Sequence, residues 1–145
     1  VALLQQQPKI KSFEDLQTIN KFLFGWLYDW AGELRNYYIS KAGFDFFEYG
    51  RFDNAIKYIN DEIGRLNKKK QPTIEDYAAL LNDLNYIHPF REGNGRSTKL
   101  FIQLIALHHG QVIDYPADNA EMIAGLNQSD VGIIAKTMAL QKSAG

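Results

Sequence analysis

Residues 85–101 read "NYIHPFREGNGRSTKLF", a polar crossing between two apolar runs that crowds His88, Glu92, Gly93, Gly95, Arg96 and Lys99 together. A helix start has unpaired N–H groups and a partial positive charge, so it holds anions. Gly93 and Gly95 let the backbone approach an oxyanion that side chains would keep away, and Asn94 adds an amide donor. Arg96 and Lys99 fall three apart in the first turn of the next helix, on one side of a bound group. Cations at that helix end oppose the dipole and cost stability unless an anion faces them. Glu92 suits magnesium, which bridges phosphates and needs only one or two protein ligands. His88 ends the preceding helix, and its imidazole suits taking a proton near neutral pH. Two readings stay open on these residues: a long structural turn, or a nucleotide-phosphate site with its own base. The cations at the wrong helix end favour the second. The Walker spacing G-x-x-x-x-G-K-[ST] is absent. A zinc site of His88, Glu92, His108 and His109 is disfavoured, because adjacent histidines point about 100° apart on a helix.

Working outward, both flanks are helical. Thr73, with Glu75 and Asp76, starts a helix whose buried face is Ile74, Tyr77, Leu80, Leu81, Leu84 and Ile87. After the crossing, Leu100, Phe101, Leu104, Ile105 and Leu107 form an apolar helix ending at Gly110. A loop, "DYPADN", leads to two weaker helices over 118–127 and 129–141. Nearer the start, Ser12 caps a helix carrying Phe13, Leu16, Ile19, Leu23, Trp26, Leu27 and Trp30 on one core-facing stripe, stopping at Gly32. Asp53 caps another, striped by Ile56, Ile59, Ile63 and Leu66. Only residues 36–49 change period: "YYIS" and "FDFFEY" flank "KAG" as a hairpin with a glycine-containing turn. Its surplus aromatics are either core or a docking edge that adds a partner's strand. The fold class is therefore all-α, about six to eight helices with one short β-hairpin. Residues 1–145 read as a single domain, core about 12–110 and C-terminal helices 118–141.

Composition narrows the function. Apolar residues are 46% and charged residues 23% of 145, which argues against disorder. A formal charge of −1 supplies no basic field for nucleic acid or an anionic membrane. No run approaches the ~18 apolar residues of a membrane span. With no cysteine, disulfides and thiolate metal sites are out, and a reducing cytoplasm suits the chain. The sequence opens on Val, as a trimmed or excised domain would, so sequence outside 1–145 is expected to bear on the whole protein.

"HPFREGNGR" resembles the motif of the Fic (filamentation induced by cAMP) family, H-x-F-x-[DE]-G-N-G-R-x-x-R, over nine consecutive residues. "LFGWLYDWAGELR" at 23–35 and "ISKAGFDFF" at 39–47 resemble the family's upstream region, so the likeness covers residues 12–110. It implies a small helical fold whose hairpin "flap" lies over the site. The implied activity is protein adenylyltransfer, AMP passing from ATP to a Ser, Thr or Tyr hydroxyl with release of pyrophosphate. Carried over, His88 is the base, Phe90 the buried anchor of the loop and Glu92 the Mg2+ ligand. Gly93, Asn94 and Gly95 form the anion hole, and Arg96 holds the β-phosphate. Ile39, Ser40, Lys41, Ala42, Gly43 and Phe44 form the target-docking flap. Lys99 stands where the family has its second arginine, which grips the γ-phosphate in relatives; lysine keeps the charge but loses the planar two-toothed grip. In the Doc branch ATP binds reversed and is used for phosphorylation, and the intact GNGR argues against that here. Transfer of UMP, phosphocholine or a phosphoryl group, or nucleotide binding with weak chemistry, are the alternatives. No Ser or Thr is followed four residues later by Glu, so the inhibitory pattern [ST]-x-x-x-E-[GN] is absent. An inhibitory helix then lies on a separate small antitoxin, in sequence outside 1–145, or nowhere; the first would make this a toxin-like protein, bacterial and cytoplasmic or delivered into a host cell.

Overall fold

The computed structural model describes Gln6, residues 8–41 and residues 43–143. Ala42, expected in the flap, lies outside them. Helix α1 (Phe13–Phe24) begins where the Asp15 carboxylate accepts the Lys11 and Ser12 N–H groups at 2.7 and 3.1 Å. It stops well before Gly32, because the chain doubles back along its own helix. Gly32 adopts φ +84° with its N–H on Asn20 Oδ1 at 2.8 Å, and a Cβ there would sit 2.9 Å from Lys21 Cβ. Residues 25–34 are therefore irregular, and the expected apolar stripe breaks: Trp26 is 82% exposed and Leu27 51%. The Trp26 indole instead donates to the Leu23 carbonyl at 2.9 Å.

The hairpin is shorter than its sequence suggests, β1 (Ser40–Lys41) against β2 (Phe44–Asp45), extended by Phe46 N–H donating to Ile39 O at 3.1 Å. A 3-10 turn (Tyr49–Arg51) then feeds α2 (Phe52–Lys68), so Arg51 occupies the cap position and Asp53 the first turn. Helix α3 (Ile74–Ile87) opens on the capping box of Thr73 and Asp76, and its apolar face buries Tyr77, Leu80, Leu81, Leu84 and Ile87. Helix α4 (Asn94–His108) follows the motif loop. Packing runs from α1 to α4, α4 to α3, and α3 to α2, around Leu16, Ile59, Leu84 and Phe101, all fully buried. Side chains of that size contribute ~1.5–3 kcal/mol each when withdrawn from water.

After α4 the chain forms β3 (Gln111–Asp114), α5 (Ala120–Asn127), α6 (Val131–Lys136) and β4 (Ala139–Lys142), with β4 antiparallel to β3. The helix expected through 141 thus ends at Lys136. The Thr137 hydroxyl donates to Ile134 O at 2.7 Å and closes the last turn. Residues 139–142 then pair with β3, whose Ile113 N–H and C=O are both bonded to Gln103 at 2.8 Å. Among the described residues, six helices and a small hairpin make the mainly helical fold the sequence implies, with this second two-stranded sheet added. None of these helices is long and apolar enough to cross a membrane.

Helices α2 and α3 bring two carboxylates together, Glu62 and Asp83. Burial, then hydrogen bonding to Asp83 and repulsion from it, raise the Glu62 pKa from 4.5 to about 8, with Arg65 opposing; burial also raises Asp83. Because the folded value lies above the unfolded one, Glu62 contributes stability that is full below pH 4.5 and is lost as pH rises through about 8. Glu62→Gln is expected to flatten that decline and raise the urea midpoint at pH 8. An unchanged pH profile of the midpoint would contradict the raised Glu62 pKa.

Candidate active site

Helix α3 ends on His88 in the left-handed region (φ 46°, ψ 63°), its N–H donating to Leu84 O at 2.9 Å. A residue other than glycine needs support in that conformation. Support comes from Arg35, 2% exposed, whose Nε donates to the His88 carbonyl at 2.6 Å and Nη2 to the Ile87 carbonyl at 3.0 Å. The left-handed turn swings the imidazole under the hairpin, where Phe46 stacks on it with ring centroids 3.9 Å apart. The Nδ1 atom is buried without a hydrogen-bond partner. Burial, followed by the positive charges of Lys41 and Arg35, lowers the His88 pKa to about 4. The ring is neutral at pH 7, the state a proton acceptor requires.

The loop after His88 is closed by Asn94. Its side chain accepts the Phe90 N–H at 2.9 Å and donates to the Phe90 carbonyl at 2.8 Å. That changes one expectation: the Asn94 side chain turns inward to brace the loop, with its carbonyl and one amide N–H on Phe90, while its backbone N–H stands at the start of α4. Phe90 is 1% exposed and holds the loop to the core. Gly93 has φ +76°, and a Cβ there would lie 2.1 Å from the Phe24 ring. Below the loop, buried Asn20 donates to the Glu92 carbonyl at 3.1 Å and the Ser97 hydroxyl at 3.0 Å, tying α1 to the motif.

A cavity of about 310 Å³ opens above these atoms, lined by Ile39 and Lys41 of the hairpin and by His88, Arg91 and Glu92 through Arg96. The base candidate, the carboxylate, the glycine backbone and Arg96 therefore face one space. Among the described residues the Glu92 carboxylate makes no ion pair or hydrogen bond, although three cations share its cavity. A free, exposed carboxylate beside a phosphate-sized hollow fits a magnesium ligand whose other donors are phosphate oxygens and water. A second cavity, about 320 Å³, adjoins the first through Asn94, Gly95 and Arg96; Asn85, Lys99, Asn119, Met122, Ile123 and Leu126 are among its walls. Lys99 lines this second cavity and not the first. Its ammonium donates to Asn119 Oδ1 at 3.2 Å and lies 5.5 Å from the Tyr115 ring centroid. Arg96 lines both cavities, so the two cations expected on one side of an anion share the second one. His108 and His109 sit at the far end of α4, where the His109 ring meets Asn67 at 3.1 Å.

A family model described as the Fic/DOC family matches residues 11–106, two thirds of the chain and all of the motif loop. The chain belongs to the Fic/DOC family. A Fic relative from Escherichia coli, "Probable protein adenylyltransferase Fic", is 28% identical over 144 residues, covering 97% of this chain and 71% of that protein. The protein adenylyltransferase VbhT of Bartonella schoenbuchensis is 31% identical over 106 residues, 70% of this chain and 22% of VbhT. Among solved structures, the N-terminal Fic domain of a Bartonella quintana cell filamentation protein with bound ADP superposes with a TM-score of 0.82 at 18% identity, covering 99% of this chain and 80% of that one. The helices and hairpin described above are accordingly a Fic fold.

Sequence reading names the motif and the hairpin but misses Arg35 and Asn20. Arg35 reaches carbonyls at 47, 87 and 88, and Asn20 joins the Gly32 N–H, the Glu92 carbonyl and the Ser97 hydroxyl, partners too far along the chain to leave a local pattern. The only trace is that each is polar inside or beside an apolar helical stretch.

Proposed function

We propose that this Fic domain is a protein adenylyltransferase that moves AMP from ATP to a Ser, Thr or Tyr hydroxyl of a target protein. The observation that carries the reading is the single cavity shared by a neutral His88, a free Glu92 carboxylate and the glycine-lined start of α4 under the hairpin. In this mechanism the His88 imidazole accepts the hydroxyl proton, and the target oxygen bonds to the α-phosphorus. The bond from that phosphorus to the bridging oxygen breaks, and pyrophosphate leaves. Backbone N–H groups of Gly93, Asn94 and Gly95 and the Arg96 guanidinium hold phosphate oxygens. Glu92 would hold magnesium, which supplies charge neutralisation on the phosphates. The second cavity, with apolar walls from Leu81, Met122 and Ile123, would take the nucleoside. Ile39, Ser40, Lys41, Gly43 and Phe44 would align the target: β1 and β2 pair only with each other among the described residues, which leaves an outer edge for a strand.

Incubation with α-labelled ATP, magnesium and lysate is expected to label discrete protein bands. Label from γ-labelled ATP alone would replace AMP transfer with phosphorylation, and the mass of the adduct separates UMP and phosphocholine. Lys99→Arg is expected to preserve or raise transfer, since the charge is kept and two donors are added. A tenfold loss would show that the lysine itself, on Asn119, is required. Control by a small antitoxin-like protein is part of the proposal, supported by the missing inhibitory pattern. Co-expression of such a protein should suppress labelling.

A further inference from the structure

Arg35 is the largest fully buried polar side chain among the described residues, and no carboxylate there pairs with it. An unpaired buried cation costs several kcal/mol unless hydrogen bonds replace its water. Here four carbonyls do so. Nη1 donates to Tyr37 O at 2.7 Å and Nη2 to Phe47 O, so both stems of the hairpin are gripped. Nε and Nη2 donate to the carbonyls of His88 and Ile87, where α3 ends. The guanidinium carbon lies 4.9 Å from the Phe52 ring centroid, closing the remaining face. Two backbone bonds run alongside, Arg35 N–H to Pro89 O and Phe47 N–H to Tyr86 O, each 2.8 Å.

We propose that Arg35 is a positioning residue that locks the target-docking hairpin and the His88 backbone into one rigid unit. This rests on the function proposed above and adds to it. Strand addition to the hairpin sets where a hydroxyl arrives, and the α3 terminus sets where the imidazole waits. Arg35 fixes the distance between them with one planar group. Lysine cannot substitute, because its ammonium is a single point and four carbonyls spread over two segments need a fork. The same cation adds, after burial and Lys41, to what holds the His88 ring neutral.

The test uses the whole chain with Arg35→Lys and Arg35→Gln. Both are expected to reduce kcat/KM for target transfer at least tenfold per folded molecule, while affinity for a non-hydrolysable ATP analogue changes less than threefold. In Arg35→Gln the His88 pKa, followed by NMR, is expected to rise, whereas Arg35→Lys holds it near the wild-type value. Loss of activity only in proportion to unfolded protein, or a loss of analogue affinity as large as the loss in kcat/KM, would overturn the proposal. If the wild-type chain transfers nothing, the adenylyltransferase reading fails while amide exchange at Arg35 and Phe47 still decides the coupling. If both variants fail to fold, wild-type amide exchange decides it. Phe47 and Arg35 N–H should open with the same free energy, and independent opening would sink the idea.

Discussion

Replacing His88 should stop the chemistry and spare the fold. His88→Ala is expected to lower AMP transfer by about 100- to 10,000-fold, the range for removing a positioned base. Analogue binding should change little if, as proposed, the backbone N–H groups and Arg96 hold the phosphates. The substitution is not free of structural cost: φ 46° strains alanine more than histidine. His88→Asn tolerates that conformation and is the cleaner variant, expected to be equally inactive with a melting temperature near wild type. The wild-type rate should also stay on its plateau well below pH 6.5, since His88 protonates only near pH 4. An acid limb centred on the ordinary histidine value would contradict the desolvated, cation-flanked ring.

Gly93→Ala should have the largest effect on nucleotide binding. Two penalties act at once. A Cβ at φ +76° costs ~1 kcal/mol or more in backbone strain. The same atom would stand 2.1 Å from Phe24 Cε2, far inside contact distance. The ring must swing outward, and Arg96, whose guanidinium carbon lies 5.7 Å from that ring's centroid, loses its wall. Together these are expected to destabilise the fold by ~2–4 kcal/mol and weaken ATP binding more than tenfold. Calorimetry and thermal melts measure both. Phe24→Ala added to Gly93→Ala relieves the clash but not the strain, so recovery should be partial. Full recovery would mean that φ carries no cost, and none would mean that the ring is irrelevant.

The legibility of the sequence depends on the range of the interactions involved. Helices α2, α3 and α4 can be read because their apolar spacing and the Thr73–Asp76 cap act within a few residues. Helix α1 reads too long because the fold back through Gly32 depends on Asn20 and Gln17, a tertiary match that makes the helix-like aromatic spacing in 26–30 misleading. Strand β4 reads as helix because its only reason to be extended is β3, about thirty residues earlier in the chain. At the site, the motif letters identify which residues meet, yet not that Asn94 turns inward or that Lys99 is held on Asn119. Orientation within a motif is set by neighbours that the motif does not include.

The Lys99 amine is held by Asn119 and faces the Tyr115 ring, and both residues lie beyond the stretch matched to the family model, 11–106. Divergence among relatives in residues 115–126 can therefore relocate a site cation without altering a letter of "HPFREGNGR". Two domains with identical motifs need not hold a nucleotide alike, and grouping them by motif alone would conceal the difference.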